Sequence, residues 1–350
     1  MKQFSADKNN TKLLGRYLTE KNTLWLTSTC ATVEFYFTGS LLEFELCSDG
    51  TGNVARYALY EDGQHLFTGN LDSQNKKVVV YDGAQKSVQH KKITFIKITE
   101  SSQSYIGIKS INTDDNAQII PAEQKKVQIE FIGDSITCGY GIDSKDENEP
   151  FSTMTEDGTG AYSYLAAKAL DADYSMVSYS SFGVVSGWTD TDGINDFSLV
   201  PRIYENVCFS WNTQMFAEKK WDFSFYKPNI VVFNLGTNDM SWCKNQERCG
   251  LFINAYVEFL KKVRNFYPEA YFVLSIGIME MGDVMSPYVQ KTVEEYKKLT
   301  GDKKISYLHF STQTKEEGYG SGFHPSRKTQ ERCGKVLAAE LQKVILQSLN

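Results

Sequence analysis

Residues 127–137 read Val-Gln-Ile-Glu-Phe-Ile-Gly-Asp-Ser-Ile-Thr, an apolar run broken abruptly by Gly133, Asp134 and Ser135. The run Val127–Ile132 has the length and character of a strand buried on both faces. A serine just past such a strand stands at the carboxyl edge of the sheet, where open α/β sheets bind ligands. By itself GDS also reads as an ordinary strand-ending turn, with glycine supplying flexibility and the polar pair satisfying backbone groups. Thr137 occupies the last glycine position of a G-x-S-x-G elbow, which disfavours the common α/β-hydrolase fold.

Towards the C-terminus four more short apolar runs follow: Tyr174–Tyr179, Ile230–Leu235, Tyr271–Ile278 and Ile305–Phe310. Amphipathic helices fill the gaps between them. From about Leu251 to Phe266, the residues Leu251, Phe252, Ala255, Tyr256, Phe259, Leu260 and Val263 form one stripe, and Pro268 stops the helix. A last helix follows Ser326 and carries Val336, Leu337, Leu341, Val344 and Ile345. Strands alternating with helices predict a mostly parallel five-stranded sheet covered on both faces, a three-layer α/β/α domain.

Towards the N-terminus the pattern changes. Between Asn22 and about Ile111 the apolar residues alternate, as in Val33, Phe35, Phe37 and Phe44, Leu46, which is the period of half-buried strands. Asp62-Gly63 and Asp82-Gly83 punctuate the runs as expected hairpin turns. This half is an all-β sandwich by its pattern. The polar stretch 112–126, interrupted by Pro121, sets the expected boundary: a β domain over 1–120 and an α/β domain over 121–350. A chain of 350 residues exceeds the size at which one core stops growing, so two domains are also the natural expectation.

Composition narrows the function classes. Hydrophobic content of 41% with 23% charged residues is that of a soluble globular protein. A net charge of -6 with scattered Lys and Arg leaves no footprint for nucleic acid. No stretch is long enough to span a bilayer, and the opening MKQFSADKNNTK lacks a signal-peptide apolar run, so no membrane partner and a cytoplasmic location are expected. The seven cysteines, without CxxC spacing, fit reduced thiols. Cys243 and Cys249 lie close, but no matching His/Cys pair completes four ligands, so no metal is expected.

Three further loops join the Ser135 turn. Asn234-Leu235-Gly236-Thr237-Asn238-Asp239 ends the third α/β strand, and an Asn238 amide there can meet the charge that acyl transfer builds on a carbonyl oxygen. Ser180-Ser181-Phe182-Gly183 follows the second strand and offers a glycine N–H. Gly320-Ser321-Gly322-Phe323-His324-Pro325 follows the fifth and supplies an imidazole. Of the four histidines, His65 and His90 fall in the β half and His309 inside a strand, where a core role is expected, leaving His324 as the base for Ser135. Each loop alone reads as an ordinary turn; their coincidence is what points to chemistry.

The blocks GDSIT, SSFG, NLGTND and GFHP resemble, in that order, the signature of SGNH hydrolases. The likeness extends to carbohydrate esterase family 2 through Gly15-Arg16, Leu59-Tyr60-Glu61-Asp62-Gly63, Lys97-Ile98-Thr99-Glu100, Pro201-Arg202-Ile203-Tyr204 and Tyr226-Lys227-Pro228. That resemblance implies an N-terminal jelly-roll domain and a C-terminal flavodoxin-like SGNH domain. It implies Ser135 as nucleophile and oxyanion donor, Gly183 and Asn238 as further oxyanion donors, His324 as base, and neither cofactor nor metal. The implied reaction is deacetylation of xylan or mannan oligosaccharides, so the expected partner is an acetylated oligosaccharide.

One departure matters. Many SGNH enzymes carry Asp three residues before the histidine; here that position is Ser321. Loss of a triad acid costs about ten-thousandfold where it leaves the wrong imidazole tautomer. The expectation is that His324 Nδ1–H donates to a main-chain oxygen instead, with Glu316 and Glu317 as alternatives. Asp134 and Asp239 are expected to brace their loops. Trp188, Trp211 and Trp242 are candidate sugar platforms, Trp211 foremost, against a purely packing role. Two competing functions stay open: a lipase or thioesterase using the same chemistry, and an inactive carbohydrate-binding protein.

Overall fold

The computed structural model describes residues 1–84 and 86–348, which form two compact units. Of the described residues, the first unit contains those of 1–124 together with 206–220, and the second 125–205 with 221–348.

The β unit is a sandwich of two antiparallel six-stranded sheets. Alternation explains its core. On strand Thr32–Gly39 the side chains of Val33, Phe35 and Phe37 are fully buried, and Phe44 on Leu41–Ser48 meets Phe35 at 6.1 Å and Phe95 at 5.1 Å between ring centroids. At Asp62-Gly63 both residues take positive φ, 49° and 81°, and close a two-residue hairpin between Glu61 and Gln64, as the sequence predicts. Asp82-Gly83 does not. Asn75–Asp82 pairs with Leu41–Ser48 in one sheet while Val88–Lys97 lies in the other, so this turn hands the chain from sheet to sheet.

The sequence divided the chain once, near residue 120; the contacts also draw 206–220 into the β unit. Arg16 Nη1 donates to the Asn206 carbonyl at 2.6 Å, Ser101 Oγ to the Phe209 carbonyl at 3.1 Å, and the Trp211 N–H to the Ser102 carbonyl at 3.1 Å. Phe216 packs on Trp25 at 5.6 Å. Backbone polar groups removed from water need partners, and here the β unit provides them.

In the α/β unit five parallel strands lie in the spatial order Asp173–Ser178, Gln128–Gly133, Ile230–Asn234, Tyr271–Gly277, Ile305–Phe310. This order, 2-1-3-4-5, reverses direction beside the first strand, and the crevice at that switch point is where such sheets place ligands. Helix Tyr162–Ala169 packs with Arg327–Ser348, and Gln246–Phe266 with Glu280–Thr300, which gives the expected α/β/α layering. Helix Gln246–Phe266 starts earlier than its apolar stripe, because the Asn245 side chain caps it by accepting from the Arg248 N–H at 2.9 Å. His309 is 41% exposed on the edge strand and pairs with Asp283 at 2.6 Å, rather than serving the core.

Candidate active site

Gly133, the last residue of the first strand, is in register with Ser178 on one neighbour and Asn234 on the other, so the loops after all three strands begin side by side. A Cβ on Gly133 would stand 2.1 Å from Thr137 Oγ1, so glycine is what lets the turn fold back onto the strand end. The turn is a single helical one, Ser135–Cys138, capped by Asp134, whose Oδ1 accepts from the Ile136 N–H at 3.0 Å. Ser135 is its first residue, and the N–H at that position has no intrahelical acceptor. A donor at a helix start takes its acceptor from beyond the helix.

Ser135 Oγ stands 2.8 Å from His324 Nε2. These atoms come from positions 189 residues apart. On the other side of the ring, Nδ1 lies 3.1 Å from the Ser321 carbonyl and 3.2 Å from the Gly322 carbonyl. A carbonyl oxygen only accepts, so Nδ1 carries the proton and Nε2 is left as the acceptor facing Ser135. The Tyr140 ring stacks on the imidazole at 4.0 Å and 26°, and Phe151 stacks on Tyr140 at 4.5 Å. Burial pushes the His324 pKa down to about 4, against the raising effect of its two carbonyl contacts. The imidazole is therefore neutral through the physiological range.

Ser321 does other work than the acid it replaces. It is fully buried, its Oγ donates to the Glu149 carbonyl at 2.5 Å, and its N–H donates to the Gly141 carbonyl at 3.1 Å. Glu317 does not stand in for the acid: its carboxylate takes Arg332 at 2.6 and 3.0 Å and the Thr314 N–H at 3.0 Å. Glu316 belongs to the same exposed turn. The main-chain oxygens are what hold the ring.

Asn238 is buried, and its Nδ2 donates to the Phe182 carbonyl at 2.9 Å and approaches Asp134 Oδ2 at 3.5 Å. The amide thus joins the loops after the first, second and third strands, with one N–H committed to Phe182 and the other only loosely held. Asp239 binds the backbone of the neighbouring loop. Its carboxylate accepts from the N–H groups of Val184 at 2.9 Å, Val185 at 2.7 Å and Ser186 at 3.1 Å. Burial raises Asp239 to about 6 and Asp134 to about 7; backbone donors partly offset the rise in both.

Gly183 departs from the expected oxyanion role. Its N–H donates to the Ser198 carbonyl at 3.0 Å, in a parallel bridge with Leu199, and is not left for a ligand. Its lack of a side chain has another reason: a Cβ there would stand 2.0 Å from the Ser186 carbonyl and 2.7 Å from Asp239 Oδ2. Trp211 is 45% exposed but belongs to the segment grouped with the β unit, where its ring meets Phe209 edge-on. Trp188 donates to Asp190, and Trp242 is buried beneath Arg248 at 5.0 Å. Phe323, 50% exposed and adjacent to His324, is an aromatic the sequence reading passed over. The stack of Tyr140 and Phe151 was also missed; nothing in its sequence period marks it.

Residues 129–337 match the family described as GDSL-like Lipase/Acylhydrolase, and residues 13–122 match Carbohydrate esterase 2 N-terminal. Cellulase/esterase CelE of Acetivibrio thermocellus is 28% identical over 284 residues, covering 80% of this chain and 33% of that protein. The chain therefore spans about a third of that relative's length. An acetylxylan esterase / glucomannan deacetylase of Cellvibrio japonicus is 26% identical over 333 residues, 89% of this chain and 86% of that one. Among solved structures, a family two carbohydrate esterase from Clostridium thermocellum in complex with cellohexaose superposes with a TM-score of 0.83 at 26% identity, covering 96% of this chain and 99% of that one. The acetyl xylan esterase Est2A of Butyrivibrio proteoclasticus has the same fold, with a TM-score of 0.89 at 24% identity over 98% of each chain.

Proposed function

The chain belongs to the GDSL-like lipase/acylhydrolase family, and from that premise we propose that it removes O-acetyl groups from xylan- or mannan-type oligosaccharides through an acetyl-serine intermediate. The observation that carries the reading is the 2.8 Å approach of Ser135 Oγ to an imidazole nitrogen that can only accept. His324 takes the Ser135 proton, Oγ attacks the acetyl carbonyl carbon, and the C–O bond to the sugar breaks as His324 returns the proton to the leaving alkoxide. Water, deprotonated by the same imidazole, then splits the acetyl-serine ester and releases acetate. The Ser135 N–H and the loosely held N–H of Asn238 meet the negative charge of each tetrahedral intermediate. No step calls on a carboxylate relay.

Support for a carbohydrate substrate comes from the match of residues 13–122 and from relatives named as acetylxylan esterase / glucomannan deacetylase. The exposed Phe323 ring beside His324 adds a flat apolar surface of the kind sugars stack on. The test is acetate release from acetylated xylan and acetylated mannan oligosaccharides by wild type and Ser135→Ala. Release by wild type that falls by about four orders of magnitude or more in the variant is expected. Cleavage of small acetyl esters with no acetate from either glycan would move the activity to a non-carbohydrate ester.

A further inference from the structure

The buried stripe of helix Arg327–Ser348 runs through Cys333, Leu337, Leu341 and Val344, and one helical step earlier it carries Gln330, which is only 1% exposed. A glutamine on an apolar stripe is costly unless each of its polar atoms finds a partner. Gln330 finds two, on different elements. Its Nε2 donates to the Ile136 carbonyl at 2.9 Å, and its Oε1 accepts from the Tyr162 N–H at 2.8 Å.

Both partners are groups that their own helices leave unsatisfied. Ile136 lies in the one-turn helix that starts at Ser135, too short to return its carbonyl to an amide four residues on. Tyr162 is the first residue of helix Tyr162–Ala169, whose N-cap, Ala161, carries only a methyl group that cannot accept a hydrogen bond. The same helix base holds the histidine loop. Arg332 binds the Glu317 carboxylate, Ser326 Oγ donates to the Glu317 carbonyl at 2.8 Å, and the Gln330 N–H donates to the Ser326 carbonyl at 3.0 Å.

We propose that Gln330 is a positioning residue for the reaction: one buried amide fastens the turn bearing Ser135 to the helix that anchors the His324 loop. This rests on the dyad reading above. It accounts for how two side chains so far apart in sequence keep hydrogen-bond distance without an acid to brace the imidazole. Gln330 touches neither substrate nor reacting atoms; it fixes the frame in which Ser135 Oγ and His324 Nε2 meet, and geometry errors of about 1 Å are enough to slow such chemistry about a hundredfold.

The test compares Gln330→Met, which keeps the volume and loses both hydrogen bonds, with Gln330→Glu, which keeps the acceptor and regains a donor only when protonated. Active sites are titrated with a fluorophosphonate on Ser135, so turnover is counted per competent molecule, and 4-nitrophenyl acetate hydrolysis is followed from about pH 8 to about pH 5. For Gln330→Met, kcat falls about tenfold or more while KM stays within about twofold. For Gln330→Glu, the ratio of its kcat to wild type rises as pH falls, because the protonated carboxyl can again donate to Ile136. A folded Gln330→Met with wild-type kcat overturns the proposal, as does a pH-independent ratio for Gln330→Glu, which decides alone if the Met variant does not fold. A Ser135→Ala variant with wild-type turnover would instead sink the proposed function itself.

Discussion

Glu34 in the β unit is flanked by Lys12 Nζ at 3.2 Å and Lys92 Nζ at 2.9 Å, whereas Asp239 in the α/β unit is held by three backbone N–H groups of the Val184–Ser186 segment. Both carboxyls are buried. Burial raises each pKa, but the two lysines outweigh it at Glu34 and bring that group below the usual carboxylate range, while Asp239 stays pushed up to about 6. The first arrangement is a charge neutralised in place, on strands aligned by the sheet register. The second uses fixed dipoles to shape a loop next to Asn238 and Ser135, and leaves the acid under strain. Full counter-charges stabilise the frame; backbone dipoles shape the site.

Replacing a dipole-held position with an unmatched charge sharpens the contrast most. Ser321→Asp puts a carboxylate against the Glu149 carbonyl that Ser321 now donates to. It should lower stability by about 3 kcal/mol or more without raising kcat, seen in denaturant unfolding and acetate release. Asp239→Asn comes next: it keeps one acceptor oxygen but sets an NH2 group where Oδ2 accepts from the Val184 N–H at 3.1 Å, and should cost about 2 kcal/mol and slow turnover about tenfold or more. Glu34→Gln should cost about 1–2 kcal/mol and leave kcat unchanged, because the lysines it abandons are far along the chain from any reacting group.

The pH dependence of these losses separates the two acids by sign. Asp239 binds its proton more tightly when folded, so its contribution is present at low pH and is lost as pH rises through about 6. The stability gap between wild type and Asp239→Asn should therefore shrink with rising pH. Glu34, with its pKa lowered by folding, contributes above the ordinary carboxylate range and loses that contribution as pH falls, so its gap should shrink in the opposite direction. Parallel slopes in urea titrations of the two variants would break the comparison.

How much of this was legible beforehand follows from what each feature depends on. The parallel sheet and its four chemical loops were readable, since each loop interrupts an apolar run with Gly, Ser, Asn or Asp, and the strand order brings them to one edge. Gly183 was misread because the partner of its N–H, the Ser198 carbonyl, lies in an irregular loop with no period to follow. The membership of 206–220 rests on isolated carbonyl contacts to Arg16, Ser101 and Ser102, which no local pattern announces. Gln330 was the feature within reach: a polar residue in line with Cys333, Leu337, Leu341 and Val344 is a signal that was not taken up.

Burial keeps the His324 ring neutral, while the main-chain oxygens of Ser321 and Gly322 hold its proton on Nδ1. Nitrogen-15 NMR of histidine-labelled protein, titrated downward from neutral pH, measures both properties on the one ring. The account predicts a protonated Nδ1, a bare Nε2, and conversion to imidazolium only near pH 4. A proton resident on Nε2, or a titration at the ordinary value of 6.5, would contradict it.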